Sequence, residues 1–203
     1  MTTTHAHPSG RSLAERSTAP LRGARAPIGV AAIVYAISSW ACASVPDPAR
    51  FTRISQPDAT AFQGPDNLGV SYFLERRCGT LDCHGQVGRA LRVYGRDGLR
   101  LPNDGGITPL SGDTTQAEIA ANYRAVVGLE PEQMSRVVAG GEDPETLLLL
   151  KKPLDIKFGG VQHKGGPVIA SGHADPGYEC LTTWLAGSTD FAACQSAAIA
   201  QER

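Results

Sequence analysis

Residues 76–85 read RRCGTLDCHG. Cys78 and Cys83 stand five positions apart, and His84 follows the second cysteine directly. The pattern is Cys-x4-Cys-His, two residues wider than the Cys-x-x-Cys-His that marks covalent haem attachment. A disulfide beside a histidine, a metal site and a haem site all remain open from these ten residues.

Upstream, LGVSYFLERR (68–77) places Val70, Phe73, Leu74 and Arg77 at helical spacing, so a helix runs straight into Cys78. Downstream, in 88–106, Leu91 and Val93 alternate with Arg92 and Tyr94, and a Gly-Arg-Asp-Gly turn follows. That pattern predicts a small β-hairpin or two extended arms. Thr115 and Glu118 fit a capping box, with Ile119, Tyr123 and Val126 on one side of the helix they open. Pro131 opens a helix over 131–138. Asp143 and Pro144 open another over 143–152, whose four leucines imply burial on most sides. A Gly-rich loop, 154–174, carries His163 and His173. A last helix spans 175–187, capped by Asp175, with Tyr178, Leu181, Trp184 and Leu185 as its apolar face.

The chain has 203 residues, of which 41% are hydrophobic and 19% charged, enough for one packed domain. Its 23 glycines and 14 prolines predict long loops, and a net charge of −1 carries no nucleic-acid footprint. Arg11, Arg16, Arg22 and Arg25 precede the apolar run 28–41, which is shorter than the ~20 residues of a membrane span. Basic residues, a short apolar run and small residues together predict an export signal over 1–41. The sequence then offers Cys42 as an acylated lipoprotein cysteine, or ACA (41–43) as a plain cleavage site. Loss of 1–41 removes four arginines and one glutamate, which takes the net charge from −1 to −4. It leaves His84, His163, His173 and Met134 as the whole stock of histidine and methionine. Residues 42–67, rich in Pro, Asp and small side chains, read as a flexible tether or an irregular wrap, with the folded domain over 68–203. The expected destination is the periplasm or cell envelope, through a lipid anchor in the membrane, where disulfides persist. A Cys180–Cys194 bridge would close a 15-residue loop and stabilise by about 3 kcal/mol; the alternative is two buried thiols.

Three chemistries compete at the motif. A Cys78–Cys83 disulfide is geometrically allowed, and its short loop gives modest stabilisation. Structural zinc needs four N or S ligands, and adjacent Cys83 and His84 rarely reach one tetrahedral ion together. Haem explains more: thiols add across two vinyl groups, and a histidine adjacent to the second is then held under the iron. The four intervening residues can bulge outward, and Gly85 allows the backbone to turn away.

A helix entering RRCGTLDCHG and a late helix YECLTTWLAG resemble the cytochrome c domain. The resemblance covers about 68–187 and is nearest to planctomycete-type cytochrome c domains and related lipoproteins of myxobacteria. The segments PETLLLLKKP, GGVQHKGGP and the DP-x-Y…W helix carry it, alongside the motif. It implies a mainly α fold with long Gly/Pro-rich loops, in which Val70, Phe73 and Leu74 meet Leu181, Trp184 and Leu185 beside the haem. The wider cysteine spacing departs from the usual pattern, although some haems of sulfate-reducer multihaem cytochromes use it. The resemblance further implies one haem c, with Cys78 and Cys83 attached, His84 proximal, and a distal ligand from a loop before the last helix. His163, between two glycine pairs, fits that position; Met134 is the runner-up, and His173 or an open site remain.

The expected role is therefore that of an electron carrier meeting other redox proteins, rather than an enzyme; an open iron site would make it peroxidase-like. Methionine ligation raises the potential, so two histidines would set it lower. The rival reading is a haem-free, disulfide-stabilised surface lipoprotein with a structural or binding role. Arg92, Arg96 and Arg100 read as a solvated basic face that could also meet haem propionates.

Overall fold

The computed structural model describes residues 54–103, 106, 108 and 111–200. The expected export signal, Cys42 and most of the expected tether lie outside the described residues.

Seven α-helices occur among the described residues: α1 (Ala59–Gln63), α2 (Val70–Arg77), α3 (Gln116–Val127), α4 (Pro131–Gly140), α5 (Leu148–Lys151), α6 (Pro176–Leu185) and α7 (Phe191–Ile199). Single 3-10 turns link them at Pro65–Asn67, Pro144–Thr146, Ile156–Phe158 and Gly172–Ala174. The fold is mainly α. None of the described helices is long and apolar enough to cross a membrane.

Local chemistry starts and stops these helices. Thr115 and Glu118 form a reciprocal capping box on α3. Asp175 caps α6 with Pro176 at its first position, and Asp190 caps α7. Gly141, with φ of 67°, takes the left-handed turn that ends α4 two residues beyond the expected stop. The expected helix over 143–152 is instead broken: Leu147 is extended between a 3-10 turn and α5. That break sets Leu147, Leu149 and Leu150 in the core while Leu148 stays exposed.

The core gathers Val70, Phe73 and Leu74 of α2 with Leu181, Trp184 and Leu185 of α6. The two helices pack closely at Gly177, where a Cβ would lie 2.8 Å from the Phe73 ring. Helix α7, which the sequence did not announce, packs across both. Its small face of Ala193, Cys194, Ala197 and Ala198 allows that close approach. Cys180 and Cys194 form a disulfide that ties α6 to α7.

Two expectations need correction. Residues 58–67 were expected in the tether, yet α1 lies there and Phe62 is 0% exposed. Its ring packs on Tyr123 at 5.5 Å and on Trp184 at 5.3 Å. The Trp184 indole N–H donates to the Asp58 carbonyl at 2.9 Å. One aromatic residue among small polar ones gives no periodicity, so the segment's anchoring was invisible in sequence. The expected hairpin over 88–106 does not form a strand among the described residues. Its only pairing is an isolated bridge, Tyr94 with Leu99. The backbone groups are already committed: Val93 N–H to the His84 carbonyl, and both backbone groups of Tyr94 to the Asn122 side chain at 2.7 and 2.8 Å.

Candidate functional site

Cys78 is the C-terminal cap of α2, its N–H bonded to the Leu74 carbonyl. The loop that follows folds back on itself. His84 N–H donates to the Cys78 carbonyl at 2.8 Å, and Cys83 and Gly85 N–H groups donate to the Thr80 carbonyl, each at 3.0 Å. Leu81 is left 61% exposed, with Asp82 exposed beside it, so the extra residues bulge outward. The Gly79 carbonyl is the pivot of the loop. A Cβ on Gly85 or on Gly98 would collide with its oxygen, so both positions need glycine for this close approach.

Cys78 and Cys83 are both unbonded thiols. The Cys78 residue is partly exposed, but its sulfur environment is apolar. Burial pushes the Cys78 thiol up to about 12, the nearby Cys83 adds to the rise, and Arg77 opposes it.

His84 is half-buried, and its Nδ1 lies 2.9 Å from the Leu91 carbonyl. A carbonyl only accepts, so Nδ1 carries the proton and Nε2 keeps its lone pair. Burial holds the His84 pKa below its ordinary value; His163 and Arg89 act the same way, and the Leu91 hydrogen bond opposes. A neutral imidazole with a free Nε2 is the form that ligates a metal.

His163 reaches this place from the far end of the chain. Its loop is stitched to the end of α5 by Val161 N–H on the Lys151 carbonyl and by Ile169 N–H on the Pro153 carbonyl. Its Nδ1 sits 3.0 Å from the Gly166 carbonyl, so it has the same tautomer as His84 and the same free Nε2. The two rings lie 5.8 Å apart between centroids, with planes 12° from parallel. Gly165 brings the backbone alongside: a Cβ there would be 3.7 Å from His163 and 3.8 Å from Cys83 Sγ. The structure thus gathers Cys83, His84 and His163, which are separated in sequence by up to 80 positions.

The other candidates are placed elsewhere. Met134 is 1% exposed within the core on α4. His173 is exposed; its Nε2 lies 2.6 Å from Glu145 Oε1, and its ring lies 4.7 Å from Tyr178. Tyr178 donates to the same carboxylate, which fixes the start of α6. Of the supposed basic face, Arg96 pairs with Asp97 and Asp113. The Arg100 side chain is largely buried and pairs with Glu118 at 2.8 Å rather than facing solvent. Among the described residues no group of three or more His, Cys, Asp or Glu side chains is arranged to hold a bare metal ion.

Three groups, two in the site and one outside it, were not named from sequence. The Leu91 and Gly166 carbonyls set the histidine tautomers, and backbone acceptors leave no mark in side-chain spacing. Glu75, in LERR, is 7% exposed and accepts from the Thr114 hydroxyl. Its position beside the apolar stripe of α2 was the one available signal.

Compared with protein-family models, curated proteins and solved structures, the chain matches none.

Proposed function

We propose that this chain is an exported c-type electron-transfer domain with one covalently attached haem. Cys78 and Cys83 carry the attachment, His84 is the proximal ligand and His163 the distal one. The fold it adopts is then cytochrome c-like, and a lipid on Cys42 anchors it to the membrane. The supporting observation is the His84–His163 pair. Two near-parallel imidazoles lie 5.8 Å apart between centroids, each with Nδ1 held at a backbone carbonyl, which leaves Nε2 as the nitrogen available to a metal. Cys78 and Cys83 are unbonded thiols, and Cys83 Sγ lies beside the His163 loop at Gly165. This donor set suits a metal already held by a macrocycle, where the protein supplies only axial nitrogens and covalent tethers.

When bound, the haem supplies a one-electron couple. The chain's part is to hold the tautomers, bury one side and set the potential. His84 is fixed by the Leu91 carbonyl and His163 by the Gly166 carbonyl, so neither ring reorients when charge changes. Carbonyl acceptors raise imidazole basicity and favour the oxidised metal. Two imidazoles therefore set a lower potential than an imidazole with a thioether. Leu81 within the motif and Val87 just after it are exposed and would offer an apolar edge for transient contact with redox partners.

The test is optical and mass-spectrometric. The full chain is expressed with a haem-attachment system and purified from the exported fraction. A Soret band that survives denaturation, with one haem added to the mass, is the expected result. A colourless product whose mass matches a Cys78–Cys83 crosslink overturns the reading in favour of a haem-free lipoprotein.

A further inference from the structure

Glu75 is a buried carboxylate that the site described above does not use. It lies one turn before Cys78 on α2, an i,i+3 pair whose Cβ atoms stand about 5–6 Å apart. Its backbone abuts Gly79, where a Cβ would meet the Glu75 carbonyl at 2.7 Å, and its side chain packs under Gly95. The Glu75 backbone is thus set against the base of the attachment loop, while its carboxylate lies beneath Gly95, in the 95–98 turn whose Gly98 packs on Gly79 and Gly85.

The geometry points to Glu75 as the proton-accepting residue of this redox centre. As the chain gains one electron from a redox partner, the Glu75 carboxylate takes one proton from water and becomes the acid. The inference rests on the haem reading above. Charge and mass balance without a further reagent: the partner gives the electron, the solvent gives the proton, and both return on oxidation.

The surroundings favour this. The Thr114 hydroxyl donates to Glu75 Oε2. From its own helix Arg76 faces it, but that guanidinium is drawn to Asp97 and to the Tyr72 hydroxyl. Asp97 faces it from the 95–98 turn, and Glu118 from α3, the latter already paired with Arg100. Burial pushes the Glu75 carboxyl up to about 7; Thr114 and Arg76 act against the rise, and Asp97 and Glu118 add to it. Thr114 is half-buried and leads into the exposed residues 111–113, which gives the proton a path to solvent. An electron added at the centre held by the loop that Glu75 abuts favours the protonated acid further.

The experiment measures midpoint potential against pH on the haem-loaded full chain, for the natural protein, Glu75→Gln and Thr114→Val. Reduction binds a proton, so the potential falls as pH rises through neutrality, with a fewfold to about tenfold shift in the redox equilibrium. Glu75→Gln abolishes the fall. Thr114→Val removes a bond to the charged form and moves the fall to higher pH. Redox-difference infrared spectra of the natural protein gain a protonated-carboxyl band on reduction. A haem-loaded protein whose potential ignores pH, or a Glu75→Gln protein with an unchanged profile, overturns this inference and leaves the haem reading intact. Absence of covalent haem overturns both.

Discussion

His84 and His163 lie with ring centroids 5.8 Å apart and planes within 12°, each ring pinned through Nδ1 to a backbone carbonyl. In the haem-loaded protein, His163→Ala is expected to turn a low-spin spectrum high-spin and to open a site for cyanide or imidazole. Met134→Leu should leave the spectrum unchanged and lower stability by less than about 1.5 kcal/mol, because it is a volume-conserving core swap. A spectrum altered by Met134→Leu and untouched by His163→Ala would reverse the ligand assignment.

Arg100 and Glu118 form a pair with buried side chains, and the Arg100 guanidinium also donates to the Gly112 and Asp113 carbonyls. Glu118 accepts from Arg100, from the Thr115 N–H and from the Leu101 N–H. Burial alone would raise the Glu118 pKa; those hydrogen bonds outweigh it and hold the pKa below the usual value. Arg100→Met leaves a buried carboxylate without its cation, which costs about 3–5 kcal/mol. Because the folded pKa is depressed, this stabilisation is present above the ordinary carboxylate range and is lost as pH falls through the folded value. Urea denaturation of both proteins at neutral and acid pH measures the difference, which should shrink in acid.

Glu75 acts in the opposite sense on stability. Its folded pKa of about 7 lies above its ordinary 4.5, so the fold binds the extra proton between those values. The native state therefore loses on the order of 3 kcal/mol as pH rises through that window. Glu75→Gln should flatten this decline and be more stable than the natural protein on the alkaline side. Equal pH dependence of the two chemical-denaturation curves would refute the burial argument.

Phe62 sits between Tyr123 and Trp184 with no exposure. Phe62→Ala removes that ring and should cost about 3–5 kcal/mol. An unchanged melting temperature in Phe62→Ala would mean that residues 58–67 are a tether after all.

Legibility in the sequence followed periodicity and capping. The stripe of α2, the capping box of α3 and the Asp175-Pro176 start of α6 are local signals, and each gave its helix. Helix α7 escaped notice because its buried face is alanine and cysteine, without the large apolar residues that mark a stripe. The 88–106 alternation misled because Asn122 and the His84 carbonyl, not a second strand, satisfy its backbone. In the candidate site, side chains were legible by residue type and order. The carbonyls that orient them, and the buried Glu75, depend on tertiary proximity that no spacing encodes.

The first described helix is fastened to the last third of the chain by Trp184 and Asp58, and α7 lies across both α2 and α6. A polypeptide emerging N-terminus first cannot assemble that arrangement until its final helix has been made. Once it is in place, the Cys78 thiol, pushed up to about 12, holds almost no thiolate at neutral pH. Chemistry that needs the Cys78 thiolate is therefore favoured before the fold closes, so the order of synthesis and closure bears on when that sulfur can react.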